Sequence, residues 1–151
     1  MIEVFTDEYF MKEALKEAQK AMQEDEVPVG AVIVANKKII ARAHNQVERL
    51  HDVSAHAEMI AVTAACNHMG SKHLEDCTLY ITLEPCPMCA GAISHARLGK
   101  VIYGASDDKS GFMRFGKAML HPKTKLEYGI MHDACRDIIQ SFFRAKRATK
   151  A

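Results

Sequence analysis

The stretch Leu83-Glu84-Pro85-Cys86-Pro87-Met88-Cys89-Ala90 decides how this chain is organised. Its two cysteines are three positions apart, and Pro87 suits the first position of a helix, which makes Cys86 the N-cap and puts Cys89 in the first turn. Both sulfurs then lie near the positive end of a helix dipole, which lowers thiol pKa values and favours the thiolates that metals bind. The stretch therefore predicts a strand-to-helix junction that carries two metal ligands.

A second stretch, Ser54-Ala55-His56-Ala57-Glu58-Met59, supplies a third ligand and a carboxylate; Glu58 precedes the proline of the P-C-x-x-C run by 27 positions. Residues two apart on a helix do not share a face, so His56 and Glu58 can reach one ion only at the start of a helix, for which Ser54 is the predicted N-cap. Three protein ligands leave one tetrahedral position open, as in catalytic zinc sites. We expect one Zn²⁺ per subunit on His56, Cys86 and Cys89, with Glu58 as the catalytic proton shuttle.

Two other interpretations of the cysteine pair remain open at this point. A structural zinc site would need a fourth ligand, for which Cys66, Cys77 or His95 would have to be recruited. A thioredoxin-like redox pair would leave the histidine and the glutamate of the second stretch without a role. Cys66, Cys77 and Cys135 occupy apolar periodic positions and are predicted to be buried as small hydrophobic residues.

Composition limits the class of protein. The 151 residues are 48% hydrophobic, which suits one compact domain over residues 1–151. Neither a signal-like N-terminus nor an apolar stretch of about 18 residues is present, so we expect a cytoplasmic protein without a membrane segment, and we expect no organic cofactor. The five cysteines, an odd number, favour reduced thiols or metal ligands over a disulfide framework.

Charge is unevenly distributed, although the formal net charge is only +1. Residues 1–26 hold eight acids and three bases, whereas residues 97–125 hold seven bases and two acids, and four more bases lie in the last ten residues. A basic side on a near-neutral protein permits contacts with phosphates. The alternative is a solvated helix end, because such charge runs are common.

The hydrophobic pattern predicts an α/β fold, with helices alternating with strands along the chain. The last two strands are about twenty residues apart, which favours a parallel crossover. The order predicts a five-stranded mixed sheet flanked by helices in three layers, with a polar connection over 44–53. The predicted helices cover 6–25, 55–69, 87–96, 113–120 and 132–147, and the predicted strands cover 29–35, 38–43, 77–83, 100–104 and 125–131.

Several motifs together resemble the bacterial tRNA adenosine deaminase family over nearly the whole chain. They are V-P-V-G-A-V at 27–32, H-A-E at 56–58, T-L-E-P-C-P-M-C-A-G-A at 82–92 and F-F-R at 142–144. The resemblance implies a three-layer α/β/α cytidine deaminase-like fold and the zinc-dependent hydrolysis of adenosine to inosine at the wobble position of a tRNA anticodon. It also implies a homodimer in which both subunits contribute to the anticodon-loop site.

The resemblance also implies substrate contacts, assigned by matching position. Asn45 would hydrogen-bond the flipped base, while the remaining residues would line the pocket or touch the flanking nucleotides. The chain departs from the family pattern over 111–125 and at Ser106, where the family often has an arginine. The implied substrate-binding residues are Val29, Asn45, Ala57, Leu83, Pro85, Asp107, Lys109, Phe142 and Arg144.

Two alternative functions are compatible with these motifs. A deaminase of a free nucleobase or nucleoside, of the guanine or cytosine type, would use the same metal ligands. A non-catalytic zinc-binding subunit that only holds RNA belongs to a different class. The basic ending with its two aromatic residues favours RNA, since stacking and phosphate contacts need such groups. Glu58 favours catalysis, because a subunit that only holds RNA has no use for a proton shuttle.

Overall fold

A five-stranded mixed sheet is the central layer of this computed structural model, which describes residues 4–149. The strands lie in the order β2-β1-β3-β4-β5. Helices cover both faces, so the three-layer α/β/α prediction is confirmed. The elements are α1 (Asp7–Gln23), β1 (Gly30–Ala35), β2 (Lys38–His44), α2 (Val47–Leu50), α3 (Ala57–Met69), β3 (Thr78–Leu83), α4 (Pro87–His95), β4 (Lys100–Ala105), β5 (Lys125–Tyr128) and α5 (His132–Thr149).

The strand directions bring the carboxyl ends of β3 and β4 to the same edge of the sheet. β1 is antiparallel to both β2 and β3, whereas β3, β4 and β5 run parallel, as the spacing of the last two strands predicted. Asn36 and Lys37 connect β1 to β2 with φ values of 51° and 62°. Both positive values are typical of a type I′ hairpin turn, whose twist matches that of the strands.

The two faces of the sheet bury alternate residues of β1. Ala31 and Ile33 join the apolar cluster shared with α3 and α4. Val32 and Val34 join the cluster shared with α1 and α5, as the period of two along a strand requires. A Cβ at Gly30 would overlap the backbone of α1, so the glycine allows that helix to lie directly on the strand.

The predicted start of the second long helix is wrong by two residues. Ser54 does not cap α3, because its backbone N–H and its hydroxyl both donate to Asp52 Oδ1, at 2.8 and 2.7 Å. This local hydrogen bonding competes with capping and keeps the chain in a turn. His56 is the N-cap instead, and the helix begins at Ala57.

The predicted polar connection over 44–53 contains the short helix α2. The N–H groups of its second and third residues, Glu48 and Arg49, donate to the Glu26 carboxylate at 3.0 and 2.8 Å. A carboxylate at a helix N-terminus satisfies donors that have no partner inside the helix. Because Glu26 lies over twenty residues away, the local pattern gave no sign of this helix.

Three further details differ from prediction. The helix expected over 113–120 is two short 3₁₀ helices, Phe112–Arg114 and Lys117–Met119, separated at Gly116 with φ +95°. β5 ends before Gly129, whose φ is +94°. Cys66 is half-buried, whereas the burial predicted for Cys77 and Cys135 is confirmed.

Within residues 4–149, no helix combines the length and apolar character needed to cross a membrane.

Candidate metal centre and active site

The three predicted metal ligands converge at two helix N-termini. His56 caps α3, Cys86 caps α4, and Cys89 lies in the first turn of α4, with Pro87 at its first position. The Nδ1 atom of His56 lies 3.7 Å from the Cys86 Sγ and 3.5 Å from the Cys89 Sγ. Within the described residues 4–149, this is the one cluster of three or more histidine, cysteine or acidic side chains whose ligand atoms all lie within 4.8 Å.

The geometry of these three side chains fits zinc. Bond lengths of about 2.3 Å to sulfur and 2.0–2.1 Å to nitrogen, at tetrahedral angles, put the nitrogen about 3.6 Å from each sulfur. The two separations of 3.7 and 3.5 Å agree with that value. One imidazole and two thiols form a donor set that zinc favours, and three ligands leave a fourth position for a reacting group.

The electrostatics of the cluster also favour a cation. The Cys89 thiol donates to the Cys86 sulfur and thereby lowers the pKa of Cys86 to about 4, with His56 contributing less. The pKa of Cys89 is raised by its bond to that thiolate and by burial. The hydrogen bond to Cys86 raises the pKa of His56. A divalent cation would replace the proton that the two sulfurs share, since metal binding requires deprotonated ligands.

Glu58 lies beside these ligands, in the first turn of α3, and its side chain is 4% exposed. Burial raises the pKa of its carboxyl from 4.5 to about 7. A carboxyl with a pKa close to 7 can both accept and release a proton near neutral pH, which is the requirement for a general acid–base group. Glu58 is outside the three-ligand cluster, and its role as a proton shuttle stays a prediction.

A cavity of about 920 Å³ opens onto His56, Cys86 and Glu58. Its size is near the upper end of small-molecule sites, so it has room for more than a single base. Its far rim includes residues of α5 and of the segment after α1, notably Phe143, Lys146 and Asp25. Of the residues predicted from the sequence, the cavity lining includes Val29, Asn45, His56, Glu58, Leu83, Cys86, Asp107 and Phe142.

Asn45 is held in a fixed orientation at the cavity wall. It is 8% exposed, and its Oδ1 accepts a hydrogen bond from the Ala57 backbone N–H at 2.7 Å. The side-chain NH₂ group of Asn45 therefore remains as the donor for a ligand. Ala57 itself is buried and is not part of the cavity lining.

Three other predicted contacts lie outside the cavity lining. Pro85 is buried, and its carbonyl accepts the Phe112 N–H at 2.9 Å. Lys109 and Arg144 are exposed on the surface. Their side chains can meet only a ligand that extends beyond the cavity.

Sequence reasoning assigned no role to two buried carboxylates in the cavity lining, Glu26 and Glu84. Glu26 holds the start of α2, as described above. The Glu84 carboxylate accepts the backbone N–H groups of Asp107, at 3.1 Å, and Met113, at 3.0 Å. One signal in the sequence was available for Glu84: an acidic residue directly follows an apolar strand. Burying such a residue is costly unless it has hydrogen-bond partners, so its position indicated that partners exist.

The comparison with protein families agrees with this fold and site. The family model for the cytidine and deoxycytidylate deaminase zinc-binding region matches residues 5–105. That span includes the three metal ligands, Glu58, and β1 to β4. The fold and the site therefore define a zinc-dependent deaminase of the cytidine deaminase class.

Comparison with individual relatives identifies the family within this class of deaminases. The tRNA-specific adenosine deaminase of Bacillus subtilis is 44% identical over 149 residues, covering 95% of this chain and 92% of the relative. A structure solved in a study of adenosine-to-inosine editing by tRNA:A34 deaminases superposes with a TM-score of 0.81 at 41% identity, covering 86% of this chain and 98% of its own. The chain belongs to the tRNA-specific adenosine deaminase family.

A structure of guanine deaminase from Bacillus subtilis is also similar, at 43% identity and a TM-score of 0.64. It matches over 67% of this chain and 65% of its own length.

Proposed function

We propose that this protein hydrolyses adenosine to inosine at the wobble position of a tRNA anticodon and releases ammonia. The observation that carries the proposal is the 44% identity to a tRNA-specific adenosine deaminase over 95% of the chain. The convergence of His56, Cys86 and Cys89 beside a buried Glu58 supports the same reaction. We propose that the chain acts as one catalytic domain.

One zinc ion per chain is part of the proposal. His56 would hold it through Nδ1, and Cys86 and Cys89 through their thiolates. When bound in such a site, zinc lowers the pKa of a coordinated water from 15.7 to about 7 and so supplies a nucleophile at neutral pH.

Glu58 performs the proton transfers of the reaction. Its carboxylate takes one proton from the attacking water and delivers it to N1 of the adenine ring as the water oxygen bonds to C6. It then takes the second proton and gives it to the amino nitrogen as the C6–N bond breaks. The products are inosine, which keeps the proton on N1, and ammonia. A positioned proton carrier of this kind contributes about 10²–10⁴-fold to the rate.

Residues of the cavity wall would recognise the base. The free NH₂ group of Asn45 is a donor suited to a ring nitrogen, and the apolar Val29 and Leu83 offer surfaces for the purine. A base must leave its stack before it can enter such a pocket, which an unpaired anticodon loop permits at low cost. Asp107, Phe142 and the exposed Lys109 and Arg144 would meet the neighbouring nucleotides.

A homodimer and a cytoplasmic location also belong to this proposal. The family resemblance implies a site shared between two subunits, and exposed apolar side chains such as Met88, Met113 and Phe115 are suited to an interface. Light scattering of the purified protein at micromolar concentration should give twice the mass of the chain. A monomeric mass under these conditions would contradict the dimer. The cytoplasmic location remains a prediction.

Deamination of free guanine is the second candidate function. The observation in its favour is the 43% identity to the Bacillus subtilis guanine deaminase, which covers 67% of this chain. The size of the cavity favours RNA instead, together with the exposed Lys109 and Arg144 outside its lining. A free base occupies only the innermost part of a cavity of about 920 Å³ and makes no use of Lys146 at its rim.

The deciding experiment compares substrates. Wild type, Glu58→Ala and the control Glu127→Gln, on the remote strand β5, are incubated with an anticodon stem-loop that carries adenosine at the wobble position. A matched stem-loop with the adenosine moved by one position and free guanine, cytosine and adenine are run in parallel. We expect inosine only in the first stem-loop and only with wild type and Glu127→Gln. Ammonia release from free guanine without inosine in RNA would contradict the proposal, and RNA binding without any ammonia release would favour a non-catalytic subunit.

A further inference from the structure

Glu84 has a hydrogen-bonding role that the reaction described above does not use. It lies between the end of β3 and the metal ligand Cys86, and its side chain is 6% exposed. Oε1 accepts the Asp107 N–H at 3.1 Å, and Oε2 accepts the Met113 N–H at 3.0 Å. A buried carboxylate is stabilised by such backbone donors, and its charge strengthens each bond.

The two donors lie at the two ends of one segment between β4 and β5, which we term the 107–113 loop. The loop closes on itself through a hydrogen bond from the Gly111 N–H to the Asp107 carbonyl at 2.8 Å. Gly111 also lies directly against the Glu84 carboxylate, where a Cβ would overlap the carboxylate oxygens. One side chain therefore holds both ends of the loop, and the middle of the loop packs on it.

Backbone bonds complete the connection between this loop and the metal ligands. The Glu84 N–H donates to the Ala105 carbonyl at 2.8 Å, and the Phe112 N–H donates to the Pro85 carbonyl at 2.9 Å. Cys86 follows directly in the chain. The segment that carries the first cysteine ligand and the 107–113 loop are thus fixed to each other through Glu84 and Pro85.

The 107–113 loop is itself part of the cavity. Asp107 and Ser110 line the cavity together with His56 and Cys86, and Lys109 between them is exposed. Displacement of this loop would alter the contacts with the RNA around the target base and leave the three metal ligands and Glu58 in place.

We propose that Glu84 is a positioning residue that determines how the enzyme recognises the nucleotides next to the target base, because it holds the 107–113 loop in register with the metal site. The inference rests on the proposed function for its substrate. The hold of Glu84 on the loop does not depend on that substrate.

Glu84→Gln is the primary test, because glutamine keeps the shape but offers one acceptor oxygen in place of two. Its NH₂ group would face one of the two backbone N–H donors, so one hydrogen bond is lost. We expect the KM for the anticodon stem-loop to rise about tenfold, the size of one charge-assisted hydrogen bond, with kcat within about threefold of wild type. Zinc content should stay at one per chain.

A second variant perturbs the contact between Glu84 and the 107–113 loop by a change in the loop itself. Gly111→Ala should push the loop away from the carboxylate and also raise KM with little change in kcat, so the proposal does not depend on one substitution folding correctly. Glu127→Gln, an exposed acidic position on β5, is the matched control and should leave both constants unchanged. Amide hydrogen exchange should accelerate about tenfold at residues 107–113 in both test variants, with the residues of α4 unaffected.

The outcomes separate this inference from the proposed function. Loss of zinc or of kcat at unchanged KM in Glu84→Gln would overturn the inference, because Glu84 would then act on the metal site. Unchanged exchange in the 107–113 loop would overturn it as well. If wild type forms no inosine, the proposed function fails, and the exchange measurement by itself still decides whether Glu84 holds the loop.

Discussion

Replacing Glu58 by glutamine removes the proposed proton carrier and keeps the size of the side chain. Glutamine matches glutamate in shape, and the side chain is 4% exposed, so the packing around it is retained. The three candidate metal ligands are other residues, and glutamine keeps a side-chain oxygen that can accept the hydrogen bond that the Cys89 thiol shares with Glu58. We therefore expect Glu58→Gln to bind zinc with wild-type stoichiometry.

The expected loss of rate follows from the position of the carboxyl. Burial raises the pKa of this carboxyl to about 7, so the group can both accept and release a proton near neutral pH. Wild type thus obtains nearly the full benefit of proton transfer, which is about 10²–10⁴-fold. A loss of that size corresponds to about 3–5 kcal/mol of transition-state stabilisation.

Single-turnover inosine formation at saturating anticodon stem-loop measures this loss directly, with zinc determined on the same samples. Glu127→Gln is the control for removing an acidic charge elsewhere. A rate within tenfold of wild type would refute the assignment of Glu58 as the proton carrier. Loss of zinc from Glu58→Gln would refute it in another way, since the carboxylate would then be a ligand.

Three further predictions test the surroundings of the site. Cys89→Ser should lower zinc affinity by more than about 100-fold in a competition titration with a chromophoric chelator, and unchanged affinity would exclude Cys89 as a ligand. The pKa of Glu13 is lowered by hydrogen bonds with Lys16 and with an arginine on β2. The ionised carboxylate is favoured in the folded state, so its contribution to stability is present above pH 4.5 and declines as pH falls through the lowered folded-state pKa. Glu13→Gln should therefore cost about 1 kcal/mol in urea unfolding at pH 7 and progressively less below pH 4.5, and a cost that does not change with pH would contradict this cause. Lys146 Nζ lies 2.6 Å from Asp25 Oδ2 at the cavity rim, so Asp25→Asn should free the ammonium for RNA phosphates and lower KM about twofold at low salt, whereas a higher KM would contradict it.

The candidate metal ligands could be predicted from the sequence because they lie in two short motifs with a characteristic spacing. Cys86 and Cys89 are three apart after a strand, and a proline marks the start of their helix. This spacing brings two thiols to one helix N-terminus, where they can bind zinc, and it does not depend on contacts with distant parts of the chain. The same reasoning predicted that His56 and Glu58 lie at the start of a helix, and both do, although the helix begins two residues later than predicted.

The supporting contacts were not predictable, because they join distant parts of the chain. Nothing near α2 indicates that Glu26 will receive two of its N–H groups, and nothing near Glu84 indicates a bond to Met113. The predicted cap at Ser54 failed for a related reason, since a neighbouring side chain competed for the same hydroxyl and backbone N–H. Local patterns thus determine which residues react, and long-range hydrogen bonds determine how the cavity around them is shaped.

The most direct test of the whole account is a zinc titration of the metal-free enzyme that follows inosine formation in the wobble-adenosine stem-loop. The account predicts no inosine without zinc, a linear rise as zinc is added, and a break at one zinc per chain, with one ammonia released for each inosine. Inosine formation by the metal-free protein, or a rise that continues past one equivalent, would contradict a single catalytic zinc on His56, Cys86 and Cys89.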